Sequence, residues 1–130
     1  TDGTVFISLR EDDKPGIVEA AKSLIEMGFD IIATSGTASF LADQGVDSRT
    51  VKQVLEGKPN IEDAILNDEI ALVLNTTEGA QSRKDSKSIR RTALVQKIPY
   101  FTTLSASLAA VKAIRAIREK TLSVRALQKA

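Results

Sequence analysis

Short apolar runs rich in β-formers alternate along the chain with stretches in which apolar residues return every three or four positions. That alternation predicts a parallel sheet covered by helices. Thr4 to Leu9 reads as a first strand. Asp12 or Asp13 is placed to cap a helix with Pro15 in its first turn. Its buried stripe is Ile17, Val18, Ala21, Leu24 and Ile25, and Gly28 ends it. Phe29 to Ala33 is a second strand, residues 34–37 a turn, and Ala38 to Gln44 a short helix stopped by Gly45. A third strand is expected around Thr50 to Val54, polar enough to lie near a sheet edge. Asn60 caps a helix reaching Asn67, and Ile70 to Asn75 is the most continuous apolar strand. A loop from Thr76 to Lys84 leads to a helix from about Asp85 to Lys97, with Ile89, Ala93 and Leu94 facing inward. Pro99 to Thr102 is a fifth strand, and a periodic helix runs from Leu104 to about Glu119. The expected architecture is one doubly wound α/β domain over residues 1–119, with residues 120–130 as a tail that adds little to the core.

Composition narrows the chemistry more than the fold. At 130 residues, 42% hydrophobic and 27% charged, the chain suits a single globular domain. It has no cysteine, which excludes disulfides and thiolate metal sites, and no histidine, the commonest general base. Carboxylate-only cation sites stay open, although the acidic residues do not follow a calcium-loop spacing. A net charge of +1 argues against nucleic-acid binding by bulk electrostatics. No apolar run approaches the roughly 20 residues that span a bilayer. Thr1 to Thr4 carries neither a signal sequence nor an initiator methionine, which suggests processing or excision from a longer chain, and a cytoplasmic location is expected by default.

In open parallel sheets, ligands bind beyond the carboxyl ends of the strands, where strand order reverses. Here those ends are polar. Strand one runs into Ser8, Arg10 and Lys14, strand two into Thr34-Ser35-Gly36-Thr37, strand four into Asn75-Thr76-Thr77, and strand five into Thr102-Thr103. The 34–37 string joins a strand to a helix whose first N–H groups lack internal partners. Gly36 would let the backbone approach a phosphate, Thr34 and Thr37 would donate hydroxyls, and Lys14 would supply the counter-charge. A second reading is equally open for the string alone, in which the hydroxyls only cap the helix. Tyr100 reads as core, Arg90-Arg91 as a solvated helix face, and Glu11-Asp12-Asp13 as a solvated turn.

Taken together, the segments FISLREDDKPGIVEAAKSLIEMGFDIIATSGTASFLADQGV, VLNTTEG, DSKSIRRTAL and PYFTTL resemble the C-terminal allosteric domain of carbamoyl phosphate synthase large subunits of bacterial type. The resemblance covers roughly residues 4–118. It implies a methylglyoxal synthase-like fold, a five-stranded parallel sheet of order 3-2-1-4-5 between helices. It implies regulation and not catalysis in this domain, with uridine monophosphate (UMP) as inhibitor and inosine monophosphate (IMP) as activator at one overlapping site. Phosphate-binding positions of that family match Ser8, Lys14, Thr34, Ser35, Gly36 and Thr37, and Lys52 is expected with them where a local bulge returns it to the site, the alternative being the loss of one cation. Nucleoside-side positions match Asn75, Thr76, Thr77, Asp85, Ser86 and Ile89, with Ser88 where a valine is usual. Tyr100 and Thr102 match this domain's share of an ornithine site completed by the catalytic part. The domain itself implies no cofactor. The implied parent uses ATP with magnesium or manganese and potassium, works with a small glutamine amidotransferase subunit, and feeds arginine and pyrimidine synthesis.

Two departures stand out. The family's lysine is expected at position 53, where this chain has Gln53, with Lys52 beside it. One residue along a strand reverses the face a side chain occupies. Ala80-Gln81 likewise stands where an arginine pair is expected. Two enzymatic relatives share the fold. A lyase of the methylglyoxal synthase type, acting on dihydroxyacetone phosphate, uses histidines and a GGD stretch that this chain lacks. The inosine monophosphate cyclohydrolase type continues into a GRVKTLHPK-like segment, also missing. A purely structural module is the remaining alternative.

Overall fold

The computed structural model describes the side chains of residues 3–52, 60–76 and 86–122, and the backbone over 80–85 and 123–129 as well. Five strands, β1 (Thr4–Ser8), β2 (Asp30–Ala33), β3 (Arg49–Thr50), β4 (Ile70–Asn75) and β5 (Tyr100–Phe101), alternate with helices α1 (Val18–Glu26), α2 (Ser35–Asp43), α3 (Ile61–Leu66), α4 (Ala80–Val95) and α5 (Leu104–Lys129). All pairings are parallel and the order is β3-β2-β1-β4-β5, as the resemblance implies. The chain builds outward from β1 to β3 on one side and from β4 to β5 on the other. The order therefore reverses between β1 and β4, the place where open parallel sheets bind their ligands, beyond the strands' carboxyl ends.

Strand alternation divides the core into two layers. Val5, Ile7, Leu72 and Leu74 pack under α1, α2 and α5, against Ala21, Leu24, Leu41 and Val111. Phe6, Ile32 and Val73 face the other way, against Ile61 and Ile65 of α3 and Ile89 of α4. Arg115 of α5 bonds Ser23 and Glu26 of α1, while Arg118 donates to the Met27 carbonyl and stacks 4.7 Å over Phe29. These contacts fasten α5 across α1.

Several local expectations shift. Asp12 and Asp13 do not cap α1. Two 3-10 turns, Glu11–Asp13 and Pro15–Ile17, precede it, because the Asp13 carboxylate is taken at 2.8 Å by Arg10 Nε. Gly28 does close α1 in the left-handed region, at φ 95°, with Phe29 N reaching back to the Leu24 carbonyl. Residues 35–37 are the first turn of α2 and not a separate connection. The edge strand β3 shrinks to two exposed residues, and Gln53 and Val54 lie outside the described residues. α3 carries the expected Asn60 cap as a full capping box, with Asn60 Oδ1 accepting from Glu62 N at 2.9 Å and Asp63 Oδ2 from Asn60 N at 2.7 Å.

α4 begins at Ala80, inside the stretch read as loop, and stops at Val95. It ends early because Lys97 adopts φ 58° and Ile98 N turns back to the Ala93 carbonyl, a helix stop made without glycine. Leu94 is 76% exposed, being five positions after Ile89 and so off the face that Ile89 and Ala93 share. Ile25 is likewise 39% exposed, since Ala20, Ala21 and Leu24 fill the inward face of α1. α5 continues through Lys129 instead of ending near Glu119, with neither glycine nor proline after Leu104 to stop it.

Candidate functional site

On the α3/α4 face, the apolar row Ile32–Phe6–Val73 crosses β2, β1 and β4. Two residues further along each strand, the alternation returns to the same face with Thr34, Ser8 and Asn75. The core thus turns abruptly polar at the carboxyl edge of its three central strands. Ser8 and Thr34 share a hydroxyl hydrogen bond of 3.1 Å, and Ser8 lies beside Asn75 in the register. All three are nearly buried.

Around this row the backbone is pulled tight. Thr37 Oγ1 accepts from Leu9 N at 3.1 Å, joining the start of α2 to the end of β1. Thr76 Oγ1 accepts from Arg10 N at 3.3 Å, and Thr76 N donates to the Ser8 carbonyl at 2.9 Å. Thr34 occupies the N-cap position of α2 but makes no side-chain cap bond, because its hydroxyl is committed to Ser8. The bland reading of the 34–37 string therefore fails at Thr34. The first N–H groups of α2, which no helix can satisfy internally, lie beside Ser35 and Gly36, both exposed.

Lys14 is buried to 6% exposure and ion-pairs with Glu11. Its ammonium nitrogen lies 3.3 Å from where a Cβ on Gly36 would stand. Gly36 thus gives the lysine close access to the start of α2. The structure brings Ser8, Lys14, Thr34, Ser35, Gly36 and Thr37 into one cradle, with Thr37 already bonded to backbone.

At the β4 end, Asn75 Nδ2 donates to Ser86 Oγ at 3.0 Å and to Tyr100 Oη at 2.9 Å. Tyr100 Oη also donates to the Ser86 carbonyl at 3.3 Å, and Arg90 lies 5.5 Å above its ring. Burial pushes the Tyr100 phenol above its usual pKa of 10.0, against the opposing pull of the Asn75 bond, the Arg90 charge and the Ser86 bond. Tyr100 therefore belongs to the same cluster as Asn75 and Ser86, and half-buried where a plain core residue was expected. Thr102 is exposed at the end of β5. Ile89 is 2% exposed and packs into the core beneath the row. Thr77 and the Asp85 side chain lie outside the described residues.

Lys52 is exposed and, together with Val51, lines a groove of about 340 Å³ with Arg49, Asn60, Asp63 and Asn67. Ser88, in place of the usual valine, bonds the Glu62 carboxylate, and Thr92 reaches the same oxygen at 3.4 Å. The site residues missed from sequence are Glu11 and Asp13, read as a solvated turn with a helix cap. Their signal was the i,i+3 spacing of Arg10–Asp13 and Glu11–Lys14. Among the described residues, no group of three or more acidic side chains could hold a metal ion, and no helix is long and apolar enough to cross a membrane.

The sequence matches the MGS-like domain family. Its family model matches residues 16–102, and the chain belongs to that family. Among curated proteins, the chain is 51% identical over 97% of its length to the carbamoyl phosphate synthase large chain of Mesorhizobium japonicum. It is 47% identical over 97% of its length to the C-terminal section of that large chain from Methanopyrus kandleri. The chain spans only 11% and 23% of those relatives, respectively. Among solved structures, methylglyoxal synthase from Elizabethkingia anophelis shares the fold, with a TM-score of 0.65 at 19% identity over 84% of this chain and 76% of that one.

Proposed function

We propose that this chain is the C-terminal regulatory domain of a carbamoyl phosphate synthase large chain, and that the carboxyl edge of its sheet binds a nucleoside monophosphate. The observation that carries this reading is the polar row Thr34–Ser8–Asn75, flanked by Lys14 over Gly36 at one end and by Ser86 and Tyr100 at the other. A cation beside a helix N-terminus suits a phosphate, and the amide–phenol cluster across the row suits a hydroxyl-rich nucleoside. UMP and IMP are the expected effectors, competing for one site.

Occupancy would bias a larger enzyme through differential affinity for its states, with reciprocal coupling in binding free energy. On this reading Tyr100 and Thr102 contribute to an ornithine site with the catalytic part. ATP, its metal ions and the glutamine amidotransferase subunit belong to the rest of that parent. Titration calorimetry of this chain tests the binding half. UMP and IMP should bind in mutual competition, and uridine far more weakly. No heat from either monophosphate at millimolar concentration would remove nucleotide sensing from the domain.

A further inference from the structure

The buried cation of the cradle already has an anion. Lys14 is 8% exposed along its side chain, while the Glu11 side chain paired with it is 85% exposed. A buried ammonium needs a compensating charge. Here the compensation comes from a carboxylate that water surrounds on most sides and that can leave at little cost. Lys14 Nζ also sits against Gly36, where the first N–H groups of α2 emerge. Glu11 and an incoming anion therefore claim the same ammonium.

We infer that Glu11 is an affinity-setting residue of this site, a built-in competitor for the buried ammonium that every anionic ligand must displace. The inference rests on the phosphate reading of the cradle. A phosphate monoester near neutral pH carries about −1.5 to −2 charges and outbids a single carboxylate for Lys14. A singly charged ester meets the same displacement cost with less attraction to set against it. The residue thus lowers the affinity of all such anions together and leaves weakly held ones unbound, although it never needs to touch the ligand. Asp13, the buried acid of the same turn, does not compete, being held by Arg10.

The test compares wild type with Glu11→Gln and with Asp12→Asn, a neighbouring exposed carboxylate that makes no ion pair with Lys14. Glutamine keeps a hydrogen-bond acceptor for the Lys14 ammonium, and the urea midpoint of each variant checks that the fold is retained. The probes are UMP, its singly charged 5′-methyl ester, and inorganic phosphate, all measured by calorimetry or ligand-observed NMR. Glu11→Gln should tighten UMP and phosphate by roughly two- to fivefold, the worth of a largely solvated ion pair. It should tighten the methyl ester by no more than that, because the cost of displacing Glu11 is common to both esters. Unchanged or weaker binding in Glu11→Gln, or equal tightening in Asp12→Asn, overturns the inference while leaving nucleotide binding intact. Phosphate binding without UMP binding would overturn the nucleotide reading and still measure the competition. Binding of no probe to any of the three proteins overturns both.

Discussion

At the β2 end of the polar row, Ser8, Thr34 and Thr37 are buried and bonded to each other or to backbone. At the β4 end, Asn75 reaches across to Ser86 and Tyr100, both half-buried and carried on separate elements, α4 and β5. The first end is built from strand termini and a helix start, positions the sheet itself holds still. The second depends on how a helix and an edge strand pack. On the proposed reading, the rigid end meets the part all nucleotides share, and the adjustable end meets the part in which they differ.

The contrast breaks most visibly at Lys14. Lys14→Ala should weaken UMP and inorganic phosphate alike by about ten- to a hundredfold, the cost of roughly 1.5–3 kcal/mol for one charge-assisted bond. Calorimetry with both ligands reads it. If UMP weakened and phosphate did not, the lysine would belong to the nucleoside end.

The next largest effect should fall on stability. Thr37→Val keeps the shape of the side chain but strands Leu9 N without its acceptor. Leaving a buried donor unpaired costs about 1–3 kcal/mol, visible as a lower urea midpoint, and Thr37→Ser should restore most of it. An unchanged midpoint would mean that the cradle is not held by this bond.

Tyr100 gives the finest distinction. Tyr100→Phe should cost about 0.5–1.5 kcal/mol and shift UMP affinity while sparing inorganic phosphate. The chain has one tyrosine, so ultraviolet titration reads this phenol alone. Its midpoint should lie above 10.0, because burial favours the neutral form. The unfolded chain then ionises first as pH rises. The phenol's contribution to stability is complete below pH 10 and is lost as pH climbs through the raised midpoint. Wild type should therefore lose more stability than Tyr100→Phe in that window. A midpoint at or below 10.0 would place the ring in solvent and dissolve the cluster.

Legibility followed the range of the forces involved. The buried strand Ile70–Asn75 was visible residue for residue, because a continuous apolar run of β-formers has one comfortable home. The Asn60 cap was visible because its acceptor and donors lie within three residues. α4 was half lost. Its first turns are polar, and its end is set by a left-handed lysine where a glycine would have announced the stop. Leu94 was misplaced because the 93–94 pair offers two adjacent apolar positions and only packing chooses between them.

The sequence by itself determined the succession of strands and helices, the polar ends of the central strands, and the absence of histidine and cysteine chemistry. These are properties of neighbours along the chain. Only the tertiary structure decided that Thr34 bonds Ser8 instead of its own helix, that Tyr100 turns to Asn75, and that Lys14 lies beside Gly36. Partners of that kind are chosen by strand register and by which helix covers which face. Neither is written in any local stretch of residues.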